Sequence, residues 1–302
     1  MNNPQSDSLK KTILITGAST GIGFGAAGAF AKAGYFVIAT VRSETDANRL
    51  VEQLGPRVQP ILCDVTNAEQ VAALPARIRE LTGNEHLDGL INNAGIVAGP
   101  GPVEFQKMED IRAQFEVNVF GLISVTMALL PLLGTKPNSK NQAGRIINIS
   151  SVGGLIASPY IAAYAATKHA VEGLSHSLRR ELRIFGIKVV IVGPGSIKSE
   201  IWNKSRSAAT NPFKGTAYEH SFARFVQVCE NIEKSGASPA EIGAFLVKVF
   251  EAPNPKARYA FVPGRFLNWT LPASLPHLWL DKLLAKMMAL EKQPVEKIYA
   301  QA

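Results

Sequence analysis

Cysteine is scarce. Among 302 residues there are two, Cys63 and Cys229, far apart and in no C-x-x-C or Cys/His cluster. That excludes a disulfide framework and a thiolate metal site, and it fits two buried thiols in a reducing compartment; no metal is expected. Residues 1–11 are polar and lack the apolar core of a secretory signal, so none is expected. Long apolar runs are missing as well. The longest, residues 121–134, holds Ser124, Thr126 and Pro131 and falls short of the ~18 apolar residues of a spanning helix. The chain is therefore expected to be soluble and cytoplasmic. Acidic charge is outnumbered, giving a net +8, but the Lys and Arg residues form no run and no pattern interleaved with aromatics. A solvated basic surface, with a few positions meeting an anionic cofactor, accounts for this better than nucleic acid does. No repeat, low-complexity segment or dividing linker is visible, and residues 134–144 read as a polar loop. The chain 1–302 is expected to be one domain with a flexible 1–10.

What is present is alternation. Short apolar, β-branched runs at 12–16, 36–40, 58–62, 87–91, 145–149 and 188–192 have the look of strands buried on both faces. Helical stretches fall between them near 23–33, 68–81, 103–133 and 159–185. A helix at 239–250 and a last strand at 258–262 follow. Such alternation predicts an α/β fold, a doubly wound parallel sheet with helices on both faces in three layers.

The first strand runs into Thr16-Gly17-Ala18-Ser19-Thr20-Gly21-Ile22-Gly23, and a helix follows. Glycines here let the backbone turn tightly and approach a pyrophosphate, while the helix offers free N–H groups and its positive end. The second strand ends in Thr40-Val41-Arg42-Ser43. An acidic residue there would accept the ribose hydroxyl of NAD, whereas an arginine suits the 2′-phosphate of NADP. No acidic residue stands at 40–43, so Arg42 points to NADP(H), with a plain surface arginine as the competing reading.

Ser158-Pro159 reads as an N-cap and first helical residue, and Gly186 as the residue closing the far end. On that helix Tyr164 and Lys168 stand i, i+4, on one face. A phenol has an ordinary pKa of ~10; a nearby ammonium lowers it and makes the pair a candidate acid/base. Ser151 lies just past the strand at 145–149, Asn92-Asn93-Ala94-Gly95 follows the fourth strand, and Asn118 sits among apolar neighbours on a long helix.

Together, Thr16-Gly17-x-x-x-Gly21-x-Gly23, Asp64, Asn92-Asn93-Ala94-Gly95, Asn118, Ser151, Tyr164-x-x-x-Lys168 and Pro194-Gly195 resemble the short-chain dehydrogenase/reductase family over roughly residues 11–201. The resemblance implies a Rossmann fold and an alcohol–carbonyl oxidoreductase. Tyr164 would be the proton donor or acceptor. Lys168 would bind the nicotinamide ribose and lower the tyrosine pKa, Ser151 would hold the substrate oxygen, and Asn118 would hold a relay water. It implies cofactor contacts at Gly17, Ser19, Thr20, Gly21, Ile22 and Gly23, and at Arg42 with Ser43 for the 2′-phosphate. Asp64 and Val65 would meet the adenine, Asn92, Ala94 and Gly95 the adenosine side, and Pro194, Gly195, Ile197 and Ser199 the nicotinamide. Gly193 and Ser199 depart from the family's usual larger residue and threonine. His169, next to Lys168, reads as packing.

Residues 171–189 look like the branch acting on retinoids and hydroxysteroids, which implies a lipophilic alcohol or ketone. The stretch 195–236 is the expected substrate lid, with Trp202, Phe213, Tyr218, Phe222 and Phe225 furnishing an apolar pocket. Two other functions compete: a dinucleotide-binding regulator without catalysis, against which the intact Ser151, Tyr164, Lys168 and Asn118 argue, and a sugar-nucleotide epimerase or dehydratase, which needs more chain after Gly195. The resemblance, together with the apolar long helices at 103–133 and 159–185, implies a homodimer or homotetramer. The extension 263–302 carries apolar residues at 280, 283, 284, 287 and 288, the spacing of an amphipathic helix. It is expected to pack on the protein or a partner subunit, with a pocket wall resting on a membrane surface as the alternative.

Overall fold

The computed structural model describes residues 11–83, 86–136, 143–198 and 211–292. Along them run β1 (Thr12–Ile15), α1 (Gly21–Lys32), β2 (Phe36–Val41), α2 (Glu44–Leu54), β3 (Val58–Leu62), α3 (Ala68–Thr82), β4 (Gly89–Asn92) and α4 (Met108–Thr135). Then come β5 (Arg145–Ile149), α5 (Ala162–Glu181), β6 (Lys188–Pro194), α6 (Glu219–Lys234), α7 (Pro239–Glu251), β7 (Arg258–Phe261) and α8 (His277–Met287).

All seven strands are parallel, in the order β3-β2-β1-β4-β5-β6-β7. The direction of winding reverses between β1 and β4, and the carboxyl ends of those two strands open the crevice where such sheets bind ligands. Side chains alternate across the sheet. Ile13, Ile15, Val37 and Ala39 pack with Phe30, Leu50 and Leu246 of α1, α2 and α7. Leu14, Ile38, Leu90 and Ile146 pack on the opposite face with Leu74 and Ile78 of α3 and Val125 and Leu129 of α4. Each such side chain, fully buried, contributes roughly 1.5–3 kcal/mol. The predicted three layers are therefore present.

Local chemistry sets the helix ends. Ser43 accepts the Asp46 N–H to start α2, with Glu44 and Asp46 on the positive end of its dipole. Asn67 caps α3, which stops at Gly83 in the left-handed conformation. Ser238 and Glu241 form a reciprocal capping box on α7. A Cβ on Gly25 would stand 1.9 Å from the Pro239 carbonyl oxygen, and one on Gly243 2.2 Å from that of Gly25. Glycine at both positions lets α1 and α7 cross backbone to backbone, which fixes the direction in which α1 points its amino end.

Several sequence expectations are corrected. Helix α2 was not anticipated, nor was α6 within the stretch read as a lid. The helix expected at 159–185 begins at Ala162, not at Ser158-Pro159, because Tyr160 takes a left-handed φ of 69° and its carbonyl receives the Gly101 N–H. A 3-10 turn, Leu182–Phe185, then carries it to Gly186, which closes it as expected. The helix expected at 103–133 begins as a 3-10 turn, Val103–Phe105, breaks, and restarts at Met108. Its course to Thr135 includes π turns at Glu116–Gly121 and Pro131–Thr135. By length and composition α4 could cross a bilayer, which the apolar run alone did not indicate, but half of its most apolar window is buried inside the fold. The amphipathic helix of the extension is α8. Ahead of it Trp269 is buried and Phe266 exposed, and in its first turn Leu278 and Trp279 are exposed. Met1–Lys10, Ser199, Ile201, Trp202 and residues 293–302 lie outside the described residues.

Candidate active site

The glycine turn is held from both sides of the crevice. Gly17 has φ +63°, and a Cβ there would fall 2.8 Å from the Ala94 Cα. On Gly23 it would lie 2.3 Å from the Gly17 carbonyl oxygen and 2.5 Å from the Asn93 amide nitrogen. Asn93 donates to the carbonyls of Thr16 and Gly17, both at 2.9 Å, and Thr16 Oγ1 accepts the N–H groups of Asn93 and Ala94. Thr40 Oγ1 accepts the Gly17 N–H. Gly21 also takes a left-handed φ. Thr20 precedes α1 without a side-chain cap, and no acidic residue sits in the first turn, so the positive helix end is uncompensated, as an anionic ligand requires. Ser19 and Ile22 flank the turn.

At the end of β2, Arg42 is exposed, and among the described residues no carboxylate pairs with it. It shares a cavity of about 500 Å³ with Cys63, Asp64, Thr66, Asn67 and Gln70. Asp64 Oδ1 is engaged by the backbone and hydroxyl of Thr66, and Val65 is buried beneath it. The glycine cradle, the bare helix end and the Arg42–Asp64 cavity fit a dinucleotide.

The second group gathers at the ends of β4 and β5. Ser151 follows β5, accepts the Gly153 N–H at 3.0 Å and hydrogen-bonds the Tyr164 phenol. Lys168, one turn along α5, is buried, donates to the Ile149 carbonyl at 3.0 Å and lies 5.7 Å from the centre of the Tyr164 ring. Gly95 stands between: a Cβ on it would be 3.3 Å from Asn118 Oδ1 and 3.6 Å from Lys168 Nζ. Asn118 sits in the first π turn of α4, accepts the Ile96 N–H, and donates to the Ile96 carbonyl and Thr167 Oγ1. Ser151, Tyr164, Lys168 and Asn118 are thus brought together. The electrostatics differ from expectation. Burial pushes the Tyr164 phenol up, with the Ser151 hydrogen bond opposing. Burial brings Lys168 down to about 8, against the pull of Glu172. Desolvation dominates at both groups because both are buried. The arrangement offers a neutral phenol as proton donor, a hydroxyl beside it, and an amine that titrates near neutrality.

Some expected contacts are spent elsewhere. Asn92 turns its amide into the core, donating to Thr126 and Asn148. Ser43 Oγ caps α2 and donates to Asp46. His169 bonds the Ala165 carbonyl of its own helix. Pro194 ends β6, Gly195 donates to the Phe261 carbonyl, and buried Ile197 pairs with Ala237. Sequence reading missed Asn93 as the brace of the glycine turn, and Arg49, which donates to the Ser19 carbonyl from α2. Of the aromatics expected to furnish an apolar pocket, Phe213, Phe222, Phe225 and Tyr218 gather beside Tyr164, while sequence reading missed Tyr160 and Met288, which join the same cluster. Its members come from separate elements, so no local pattern could reveal it.

Comparison with known proteins agrees with this geometry. The family described as short chain dehydrogenase matches residues 11–210. The NADPH-dependent 3-dehydrocapnine reductase of Ornithobacterium rhinotracheale is 37% identical over 90% of this chain and 95% of its own. The 3-ketodihydrosphingosine reductase of Bacteroides thetaiotaomicron is 35% identical over 82% and 86%, and the bovine 17-beta-hydroxysteroid dehydrogenase type 6 is 33% identical over 86% of each. The crystal structure of a short-chain dehydrogenase from Streptomyces avermitilis superposes with a TM-score of 0.72 at 31% identity, covering 95% of this chain and 97% of that one. With its parallel seven-stranded sheet and this span of similarity, the chain belongs to the short-chain dehydrogenase/reductase family of NAD(P)-dependent oxidoreductases, on the retinol and hydroxysteroid dehydrogenase-like branch.

Proposed function

We propose that this protein is an NADPH-dependent reductase that converts a ketone on a lipophilic substrate to the secondary alcohol. The observation that carries the reading is the hydrogen-bonded Tyr164–Ser151 pair beside buried Lys168, bordered by the aromatic group that Tyr160 and Phe213 form with Phe222 and Phe225 of α6. NADPH, when bound, supplies the hydride. Tyr164 donates its proton to the carbonyl oxygen, a role that its raised pKa favours by keeping the phenol protonated. Ser151 holds that oxygen and stabilises its developing charge. Lys168 holds the ribose and restores the phenol's proton. The Asn118 side chain braces Ile96 and Thr167, so a relay water here would rest on its main chain. Arg42 favours the 2′-phosphate, and the relatives named as reductases of 3-dehydro and 3-keto compounds favour reduction. Lipophilicity follows from Tyr160, Phe213, Phe222 and Phe225. Exposed Phe120 and Met127 on α4 offer an apolar face for a second copy. We place the enzyme in the cytoplasm, where its two free cysteines stay reduced.

Tyr164→Phe tests the chemistry. It is expected to bind NADPH as the parent does and to reduce a long-chain ketone at least about 100-fold more slowly; near-parental turnover would remove Tyr164 from the mechanism. NADPH is expected to bind more tightly than NADH, by a margin that Arg42→Ala narrows about tenfold. Equal affinity of the parent for both would overturn the cofactor preference.

A further inference from the structure

Behind the catalytic pair lies a charged group that the reaction itself does not use. Glu172, one turn beyond Lys168 on α5, is buried, and Arg258 at the start of β7 donates through Nε to both of its carboxylate oxygens at 3.0 Å. The same guanidinium donates through Nη2 to the Ser151 carbonyl at 3.1 Å. Its carbon lies 4.9 Å from the centre of the buried Trp269 ring, within the range of a cation–π contact. One side chain therefore meets the strand end that carries Ser151, the helix that carries Tyr164 and Lys168, and the carboxyl-terminal extension.

Two glycines make room for it. A Cβ on Gly193, the residue that departs from the family pattern, would lie 2.4 Å from Arg258 Nη2, 3.0 Å from its Cζ and 3.1 Å from the Ser151 carbonyl oxygen. A Cβ on Gly154 would lie 3.1 Å from both Cγ and Oε1 of Glu172. Glycine at 193 opens the passage through which the guanidinium reaches Ser151. The Ser151 carbonyl accepts a second bond from the Gly154 N–H at 3.1 Å, so the turn is clamped from two directions.

We propose that Arg258 is a positioning residue for catalysis: by bridging Glu172, the Ser151 carbonyl and Trp269, it holds the serine and the Tyr164 helix in register and ties their alignment to the seating of the carboxyl-terminal extension. This rests on the roles proposed above for Ser151 and Tyr164. Lysine cannot replace it, because an ammonium reaches one partner where the planar fork serves several. The groups set against Lys168 are the Tyr164 phenol on its own helix, Glu172 one turn on and, beyond Glu172, Arg258 from β7. Loss of the Arg258 cation leaves Glu172 unbalanced beside Lys168.

The test uses the full chain with NADPH and a ketone that the parent reduces. Arg258→Lys and Gly193→Ala are each expected to lower kcat about tenfold or more, with the dissociation constant of NADPH changed less than about twofold. Arg258→Met is expected to move the lysine-controlled limb of the kcat–pH profile to higher pH, and Glu172→Gln to move it lower; a merely structural role gives no such opposed shifts. Arg145→Lys, which loses the bonds from Arg145 to the Val249 and Phe250 carbonyls at the far end of β5, serves as the control and is expected to lower the melting temperature without lowering kcat. Trp269→Leu is expected to reproduce a smaller share of the kcat loss. Parental kcat in folded Arg258→Lys and Gly193→Ala would overturn the proposal, even where both melt earlier. Tyr164→Phe is assayed in parallel: parental turnover there would refute the proposed chemistry instead, so the two failures are distinguishable.

Discussion

The proposed nucleotide side of the crevice and the proposed substrate side are built on different principles. Around Gly17, Gly23 and Asn93, position is set by exclusion, since a single added carbon would meet backbone atoms at 2.3 to 2.9 Å. Around Tyr160, Phe213, Phe222 and Phe225, position is set by attraction among rings whose centres stand 4.6 to 5.7 Å apart. Sterically determined backbone fails all at once. A cluster of rings, each contact worth about 0.5–1.5 kcal/mol beyond burial, gives way by degrees and can be reshaped for another substrate. On this assignment the same fold would keep its cofactor geometry rigid while leaving its substrate pocket adjustable.

The largest effect is expected where exclusion rules. Gly23→Ala forces its methyl against the Gly17 carbonyl and the Asn93 amide. It should cost about 1–3 kcal/mol of stability and abolish measurable NADPH binding in a calorimetric titration. A Gly23→Ala protein with parental NADPH affinity would show that this turn yields as the pocket does.

Lys168, on the helix between the two sides, gives an intermediate effect that depends on pH. Burial lowers its pKa to about 8, whereas in the unfolded chain it is ~10.4. The unfolded state therefore holds the proton more tightly, so the burial penalty is full below pH 8 and fades as pH rises from about 8 toward 10. Lys168→Met should melt above the parent at pH 7, by up to roughly 3 kcal/mol in stability, and the margin should shrink across that window. A margin unchanged with pH would mean that the lysine keeps its ordinary pKa in the fold and is not desolvated there.

The smallest effect belongs to the adjustable side. Tyr160→Phe keeps the ring and removes the hydrogen bond from the phenol to Ser221 of α6, 2.6 Å long. About 1 kcal/mol of stability should be lost, and KM for a bulky ketone should rise a few-fold while NADPH affinity holds. A loss of NADPH binding in this variant would join the two sides that the geometry separates.

This division also explains what could be read from sequence. The strands, the glycine turn and the Tyr164–Lys168 spacing were legible because each is local, an alternation, a steric need or an i, i+4 step. The start of α5 was not, because Tyr160 adopts a left-handed conformation held by Gly101, 59 positions earlier in the sequence. Helix α2 was hidden because its buried face amounts to Ala47 and Leu50, too short a stripe to give a period. Asn92 read as a ligand contact because its place after β4 suits one, but nothing nearby in sequence reveals that Thr126 and Asn148 claim its amide. The reach of Arg258 was equally hidden, since its three partners come from β5, α5 and the extension.

Asn92 and Asn148 are register partners on β4 and β5, and their amides join Thr126 of α4 to Ser175 of α5 in one buried chain. Such a chain ties its stability to one strand register. Were β5 to dock one residue out of place, Ile147 or Ile149 would face these polar groups and leave them dry, at about 1–3 kcal/mol apiece. A misaligned sheet is therefore the less stable one, and the polar chain favours the native register.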